Sequence, residues 1–472
     1  MKYTEKTIHN IVEKQRKYFK TGVTLDVNWR IEQLKKLKNA VIEYENEFID
    51  ALSKDLGRSD VEAYLCDIGP IIVEINETIK GLKKWAKPEK HFSGLLCFPS
   101  IVTTVYKIPY GVSLIISPFN FPLLLTLGVL NASIAGGNTA VIKTSSKSKE
   151  CTKILKKFID ETFDSNYVTL IDGGHDVADM CLAQNFDKIF YTGSPNVGKH
   201  VLTEAAKNLT STALELGGEM GNWCIIRKDA NLKDAARKIA FFKLCNAGQI
   251  CININQIAVA KEIADDFIAE LKNAFDLQIT NDPINNPEYP KLINLGAYEK
   301  CEKIANQYNE RIIYGGKGDK DKLKFEPTLI YPVKINEDIV TKELFCPLLP
   351  IVPYKDDEIN KLLDVISDRE KPLAFYLFTS DIAWANKIMQ TMQYGGGCIN
   401  EVCLHMMVKG VPFNGVGHSG MGAYHGKWGF DEFTHTSTVL LGKTNLNLPL
   451  REHPYLGKYK NLKMKLLKLF EK

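Results

Sequence analysis

Apolar residues recur along this chain at two periods, and the points where one gives way to the other divide it. Across residues 28–57, Ile31, Leu34, Leu37, Val41, Phe48 and Leu52 stand at helical spacing with lysine and glutamate on the other face; across 61–85, Leu65, Ile68, Ile72, Ile75, Ile79 and Leu82 repeat the pattern. Two long packing helices are predicted. Beyond Lys87-Pro88, IVTTVYKI at 101–108 alternates and is rich in β-branched residues, which predicts an extended strand. From about Gly111 to Gly217 the short apolar runs GVSLIIS, TAVIK (139–143), YVTLID (167–172) and KIFYTG (188–193) alternate with helical stretches such as 149–162 and 198–208. That alternation predicts a doubly wound parallel sheet with helices on both faces. A second α/β series starts at Cys251 with NQIAVA (255–260), a helix over 262–275, RIIYG (311–315), FEPTLI, AFYLFTS (374–380) and GGGCINEV (395–402). Last, THTSTVLLG at 434–442 alternates like a strand free to pair outward.

Residues 111–130 are apolar and long enough to span a bilayer, yet Pro118, Asn120 and Pro122 interrupt them, so a strand, a turn and a buried helix are expected there. A chain of 472 residues exceeds one ordinary core and predicts two large lobes. Its 60 basic and 56 acidic side chains are interspersed, so the net charge of +4 leaves no nucleic-acid footprint. The eleven cysteines form no CxxC pair and no Cys/His cluster at zinc spacing, and MKYTEKTIHN is unlike a signal peptide. Reduced thiols in a cytoplasm and no metal site are expected. The basic tail KYKNLKMKLLKLFEK reads as a solvated terminal helix, too broken by lysine to span a membrane.

Candidate chemistry centres on FFKLCNAGQICININ (241–255), where an apolar helix ends, Ala247-Gly248 turns, and Cys251 starts the next segment. Gly248 removes bulk beside the thiol, and the turn aims backbone N–H groups at whatever the sulfur attacks. Four more stretches set polar groups in apolar or glycine-rich surroundings. SPFNFP puts Asn120 just past a strand, able to donate into a cleft. TALELGG puts Glu215 where burial raises a carboxylate toward a useful base. TGSPNVG offers Gly193 and Ser194 at a strand-to-helix turn suited to pyrophosphate, and KELFCPLLP sets Glu343 and Phe345 beside a proline turn. Each alone has a plain alternative: a buried structural cysteine, an Asx turn, a salt-bridged glutamate, a simple loop, a helix cap.

Together and in this order the stretches resemble the NAD(P)-dependent aldehyde dehydrogenase superfamily, over about residues 20–440. The family's nucleophile motif stands complete as Asn246, Gly248, Gln249 and Cys251, and its ELGG motif as Glu215 to Gly218. The GVGHSGMGAYHGK run, the short N-terminus and the tail are most similar to the class 3 branch of fatty and aromatic aldehyde dehydrogenases. The resemblance implies two Rossmann-like, doubly wound α/β lobes, a cofactor-binding one (1–87 and 109–217) and a catalytic one (218–405). It implies an oligomerisation arm (88–108 and 430–442) ahead of the basic tail (443–472), and a homodimer. Cys251 would be the nucleophile, Asn120 with the Cys251 N–H would stabilise the oxyanion, and Glu215 would activate water. For NAD or NADP, Lys143 and Ser146 would lie at the adenine-side ribose, Gly193 and Ser194 at the pyrophosphate, and Glu343 and Phe345 at the nicotinamide end. The substrate implied is a small-molecule aldehyde, with Phe119, Phe121, Phe242 and Phe413 near the motifs suggesting an apolar one. A CoA-acylating enzyme and a catalytically silent relative are the alternatives; Glu215 argues against the first, and retention of Cys251, Glu215 and Asn120 against the second.

Several positions depart from the family pattern. Ser146 replaces a glutamate that meets the adenine ribose; beside Lys143 and Lys147 it would accept a 2'-phosphate, so NADP is expected to serve at least as well as NAD. Glu219, Met220 and Gly221 follow ELGG in place of lysine, a small polar residue and proline. Cys346 and Asn414 replace glycines. His418 and His425 read as packing or surface histidines.

Overall fold

The chain begins with a helix, Glu5–Lys20, whose start is fixed by Thr4 and Thr7 exchanging side-chain and backbone hydrogen bonds, and whose Ile8 and Val12 are buried. The computed structural model describes residues 3–94, 97, 99–280, 282–446, 452–457 and 459–469. Of the basic tail, residues 447–451, 458 and 470–472 lie outside the described residues, while helix Lys460–Leu469 buries none of its side chains. The two long helices expected over 28–57 and 61–85 are each broken. Tyr44 separates Val27–Glu43 from Glu45–Leu56. Asp60–Ala63 runs through a wide turn at Tyr64–Ile68, where the Gly69 N–H reaches back to the Tyr64 carbonyl, into Gly69–Trp85.

Two parallel sheets follow. In the first, strands Ser211–Leu216, Lys188–Gly193, Val112–Ile116, Thr139–Lys143 and Val168–Ile171 lie side by side in that order. In the second, six parallel strands run Thr328–Ile330, Leu348–Tyr354, Ile254–Ala260, Asn222–Ile226, Ala374–Phe378 and Gly396–Ile399, with Ile312–Tyr314 antiparallel at one edge. The central strands are buried at every position because helices cover both faces. The apolar stretch from Gly111 resolves as expected: strand Val112–Ile116, a proline-bracketed turn, and helix Leu124–Gly136 with all thirteen residues buried. A helix apolar all round needs cover all round. It packs against Val27–Glu43, Gly69–Trp85 and Gly426–Glu432.

After the second sheet the chain returns to the first. Strand Gly420–Met421 pairs antiparallel with Ser211–Leu216, placing Gly420 opposite Glu215. Helix Gly426–Glu432 then leads into strand Thr434–Leu440, which pairs with Val102–Pro109, itself paired with Glu89–Phe92. The segment 430–442 therefore starts in a packed helix and becomes strand only at Thr434. Among the described residues, no helix is long and apolar enough to cross a membrane.

Candidate active site

Helix Leu232–Leu244, capped by the Asn231 side chain on the Asp234 N–H, delivers the chain to a left-handed turn. Asn246, Ala247 and Gly248 take φ values of 50°, 49° and 76°. Left-handed backbone is costly for the first two, so the surroundings must hold it. The Asn246 amide Nδ2 donates to the carbonyls of Asn120 (3.0 Å) and Gln249 (2.9 Å), its Oδ1 accepts from Arg58 Nε (3.1 Å), and its N–H donates to Glu62 Oε1 (2.6 Å). Gln249 Nε2 donates to Asn246 O and Lys291 O, while its Oε1 accepts the Ile293 N–H. Gly248 is obligatory for a second reason: a Cβ there would stand 2.5 Å from the Cys346 carbonyl oxygen. The loop ends on Cys251, half-buried, with its carbonyl accepting from Asn222 Nδ2 at 2.8 Å.

The first sheet meets this loop with the carboxyl ends of its strands, where ligands of such sheets bind. Glu215, 2% exposed at the end of Ser211–Leu216, faces the Cys251 thiol and the Thr192 hydroxyl, but neither carboxylate oxygen has a hydrogen bond of regular geometry. Burial pushes its pKa up to about 7, against the pull of the Cys251 and Thr192 donors. Burial and then the Glu215 charge raise the Cys251 thiol well above the usual range. Burial thus disfavours charge on both groups, and the carboxylate stands where it could take the thiol proton. Asn120, 3% exposed, donates from Nδ2 to Gln249 O at 3.2 Å and has a second N–H on the same nitrogen. Arg58 ties this region together: it donates to Asn120 O (2.6 Å) and pairs with Asp67, both side chains fully buried, while Asp67 Oδ1 accepts the N–H groups of Leu123 and Leu124.

Glu343 and Phe345, between strands Thr328–Ile330 and Leu348–Tyr354 of the second sheet, reach the same cleft. Gly217 makes room for the glutamate, since a Cβ there would lie 2.4 Å from Glu343 Oε1. Burial, opposed by Lys300 and reinforced by Glu215, raises Glu343 to about 8. Phe345, at φ 56°, meets Phe119 edge-on with centroids 5.8 Å apart, and Lys147 Nζ sits 5.1 Å above the Phe119 ring. Three stretches far apart in sequence thus converge. Lys143 Nζ donates to the carbonyls of Thr144 (2.7 Å) and Gly173 (2.8 Å), and Ser146, three residues on, is exposed. Gly193 ends its strand where a Cβ would be 2.2 Å from the Tyr191 hydroxyl, and Ser194 starts helix Pro195–Ala206 without a side-chain cap. First-turn N–H groups left uncapped at the mouth of a parallel sheet suit a pyrophosphate. These residues therefore fit a dinucleotide stretched from Ser146 to Phe345.

Pro70, Val73, Leu124, Met406, Met407 and Val408 line a shallow hollow with Glu74 and His425 in its wall. His425 Nδ1 lies 3.3 Å from Glu74 Oε2 and stacks on Tyr424. Tyr424, buried, is within electrostatic range of Glu215, Cys251 and Glu74, which places the hollow next to the reacting groups. Of the four aromatics near the motifs, Phe121 and Phe413 are core residues, Phe242 is half-buried and meets Phe241 edge-on, and Phe119 meets Phe345. Sequence reasoning missed Arg58, Glu62, Asp67, Glu74, Lys300 and Tyr424; it read His425 as a packing or surface histidine, and His425 does stack on Tyr424. No local pattern marks them, because their partners lie far along the chain, 62 and 188 positions away in the case of Arg58.

The profile of the aldehyde dehydrogenase family matches residues 1–439. The chain belongs to the aldehyde dehydrogenase family. It is 38% identical to 4,4'-diaponeurosporen-aldehyde dehydrogenase of Staphylococcus aureus, over 96% of this chain and 99% of that protein. It is 35% identical to aldehyde dehydrogenase family 3 member H1 of Arabidopsis thaliana, over 96% and 94%. The relatives named for family 3 place it in the class 3 branch. In structure it resembles the substrate-bound Staphylococcus aureus AldH, with a TM-score of 0.94 at 36% identity and full coverage of both chains. The glyceraldehyde-3-phosphate dehydrogenase GapN of Methanocaldococcus jannaschii, complexed with NADP, matches with a TM-score of 0.82 at 26% identity, over 94% of this chain and 96% of that one. Both sheets, and so the α/β aldehyde dehydrogenase fold, are common to the chain and these enzymes.

Proposed function

We propose that the protein oxidises an apolar aldehyde to its carboxylic acid, with NAD or NADP, through a thiohemiacetal and a thioester on Cys251. The carrying observation is the buried Glu215 carboxylate, lacking a regular hydrogen bond and facing the Cys251 thiol, with the Asn120 amide fastened to the same loop. Glu215 accepts the thiol proton and the sulfur attacks the carbonyl carbon. The second Asn120 N–H and the Cys251 N–H stabilise the resulting oxyanion, each such donor being worth about 10²- to 10³-fold in rate. The bound nicotinamide supplies the hydride acceptor. Glu215, once it has passed the thiol proton to solvent, takes a proton from water, whose oxygen adds to the thioester carbon and expels the Cys251 sulfur. Lys143, Ser146, Gly193 and Ser194 hold the adenine and pyrophosphate side, and Glu343 and Phe345 the nicotinamide side. The first sheet with residues 1–87 and 109–217 forms the cofactor lobe, and 218–405 the catalytic lobe. The methionine- and valine-lined hollow beside Tyr424 receives the aldehyde chain.

Turnover of an aldehyde panel, followed as absorbance of the reduced cofactor, tests the reading. Cys251→Ser is expected to abolish it. Glu215→Gln is expected to lower steady-state turnover about 10²- to 10⁴-fold and to slow formation of the first equivalent of reduced cofactor as well, since Glu215 serves both steps. Turnover that required CoA, with Glu215→Gln as fast as the parent, would establish acyl transfer to CoA instead. No reduced cofactor with any aldehyde would make the chain a silent relative.

A further inference from the structure

All eleven cysteines are free thiols, and the proposed mechanism uses one. Cys301 and Cys346 meet inside the core, 0% and 2% exposed, where no solute reaches them. Cys66 and Cys245 are placed differently. With Glu62 they bring their sulfur and carboxylate atoms within 4.8 Å of one another; Cys66 is half-buried at the surface and Cys245 is 8% exposed behind it. Cys66 sits in the wide turn Tyr64–Ile68, a local departure from the α-helix of the kind found at functional sites. Cys245 is the residue before Asn246, whose N–H is held by Glu62 from that same segment. One thiol thus belongs to the first lobe and the other to the loop carrying Cys251.

We propose that Cys66 and Cys245 form a reversible disulfide site, oxidised by hydroperoxides, that ties the nucleophile loop to the first lobe and slows turnover. The Cys66 sulfur attacks the peroxide O–O bond; with hydrogen peroxide this leaves Cys66 as a sulfenic acid and releases one water. The Cys245 sulfur then attacks the sulfenic sulfur, the S–S bond forms, the S–O bond breaks and the second water leaves. Two thiols lose two electrons and one peroxide is reduced to two waters. A dithiol such as dithiothreitol reverses the reaction. Closing the pair from as much as 4.8 Å to a bond of about 2.05 Å draws Cys245 toward Cys66. The strain falls on Asn246 and Ala247, already in left-handed backbone, and so on the position of Cys251. Slower turnover rests on the aldehyde-oxidising reading; the bond itself does not.

The test treats wild type and Cys66→Ser with hydrogen peroxide, maps disulfide-linked peptides by mass spectrometry, and measures aldehyde oxidation before and after dithiothreitol. Cys251→Ser repeats the mapping without the reactive nucleophile. The expected result is a peptide pair joining Cys66 to Cys245 in wild type and Cys251→Ser, lost on reduction, with at least a fivefold dithiothreitol-reversible loss of rate in wild type that Cys66→Ser lacks. No joined pair, or oxidation of Cys66 that stops short of Cys245, overturns the site. A joined pair with equal loss of rate in wild type and Cys66→Ser overturns its coupling to the loop. A joined pair in a protein that never oxidises an aldehyde supports the site and refutes the enzymatic reading alone.

Discussion

Burial does at Glu215 what a catalytic base requires. Its pKa of about 7, raised from 4.5, makes the carboxylate form available only as the pH rises, so kcat is expected to fall below about pH 7. The same shift sets a stability term. Folding favours the protonated form, so the associated stability is complete below 4.5 and is lost as the pH climbs to about 7. Glu215→Gln, which cannot ionise, is expected to gain stability relative to wild type between pH 5 and 8, by roughly 3 kcal/mol, as read from urea unfolding at both pH values. Ser146 is exposed, between Lys143 and Lys147 in the sequence. Ser146→Glu is expected to move the NADP-to-NAD ratio of kcat/KM toward NAD by at least tenfold, because a carboxylate repels a 2'-phosphate. A wild-type preference for NAD above a hundredfold would end the argument for that site. Cys251, Glu215 and Asn120 were singled out through the order of their stretches, each of which alone has a plain alternative, and folding brings them to one loop. Arg58, Glu62 and Tyr424 were not singled out, because their roles come from partners that only folding brings near.

At the scale of elements, the turn Asn246–Gly248 shows how a strained segment is kept. Four hydrogen bonds of the Asn246 side chain and N–H, two of them to Arg58 and Glu62, offset left-handed backbone that costs about 1–3 kcal/mol per residue. Gly248→Ala adds a Cβ 2.5 Å from the Cys346 carbonyl, with neither side free to yield. It is expected to lower kcat by at least a hundredfold while the midpoint of thermal unfolding falls by only a few degrees, because the loop and not the sheet is displaced. Unchanged kcat would show that the loop geometry does not govern the thiol. Most strands of both sheets were legible from their apolar runs. The breaks at Tyr44 and at Tyr64–Ile68 were not, because helical periodicity continues across both and the interruption is imposed by packing against other elements. Helix Glu5–Lys20 went unread although its Thr4–Thr7 box is written in the sequence.

For the whole molecule, the arm sheet is the surface with most to explain. Val102, Tyr106, Ile108 and Val439 are all more than one-third exposed and share one side of the paired strands, an apolar face that a monomer rarely leaves open. A homodimer joined through this arm would cover it. Light scattering on the eluting protein is expected to give twice the 53.1 kDa of one chain, and Val439→Glu is expected to return it to one. Wild type eluting as a monomer would remove the arm from assembly. What the sequence determined by itself was whatever depends on near neighbours: the parallel α/β runs, the burial of the 111–130 stretch, and the five stretches that announce the family. Tertiary structure alone decided that residues 420–433 fold back onto the first lobe and put Gly420 against Glu215, that Arg58 and Glu62 grip the nucleophile loop, and that Cys66 faces Cys245. The reason is physical: periodicity and turn chemistry act over a few residues, whereas a buried charge or thiol is defined by whatever the fold packs against it, however distant along the chain.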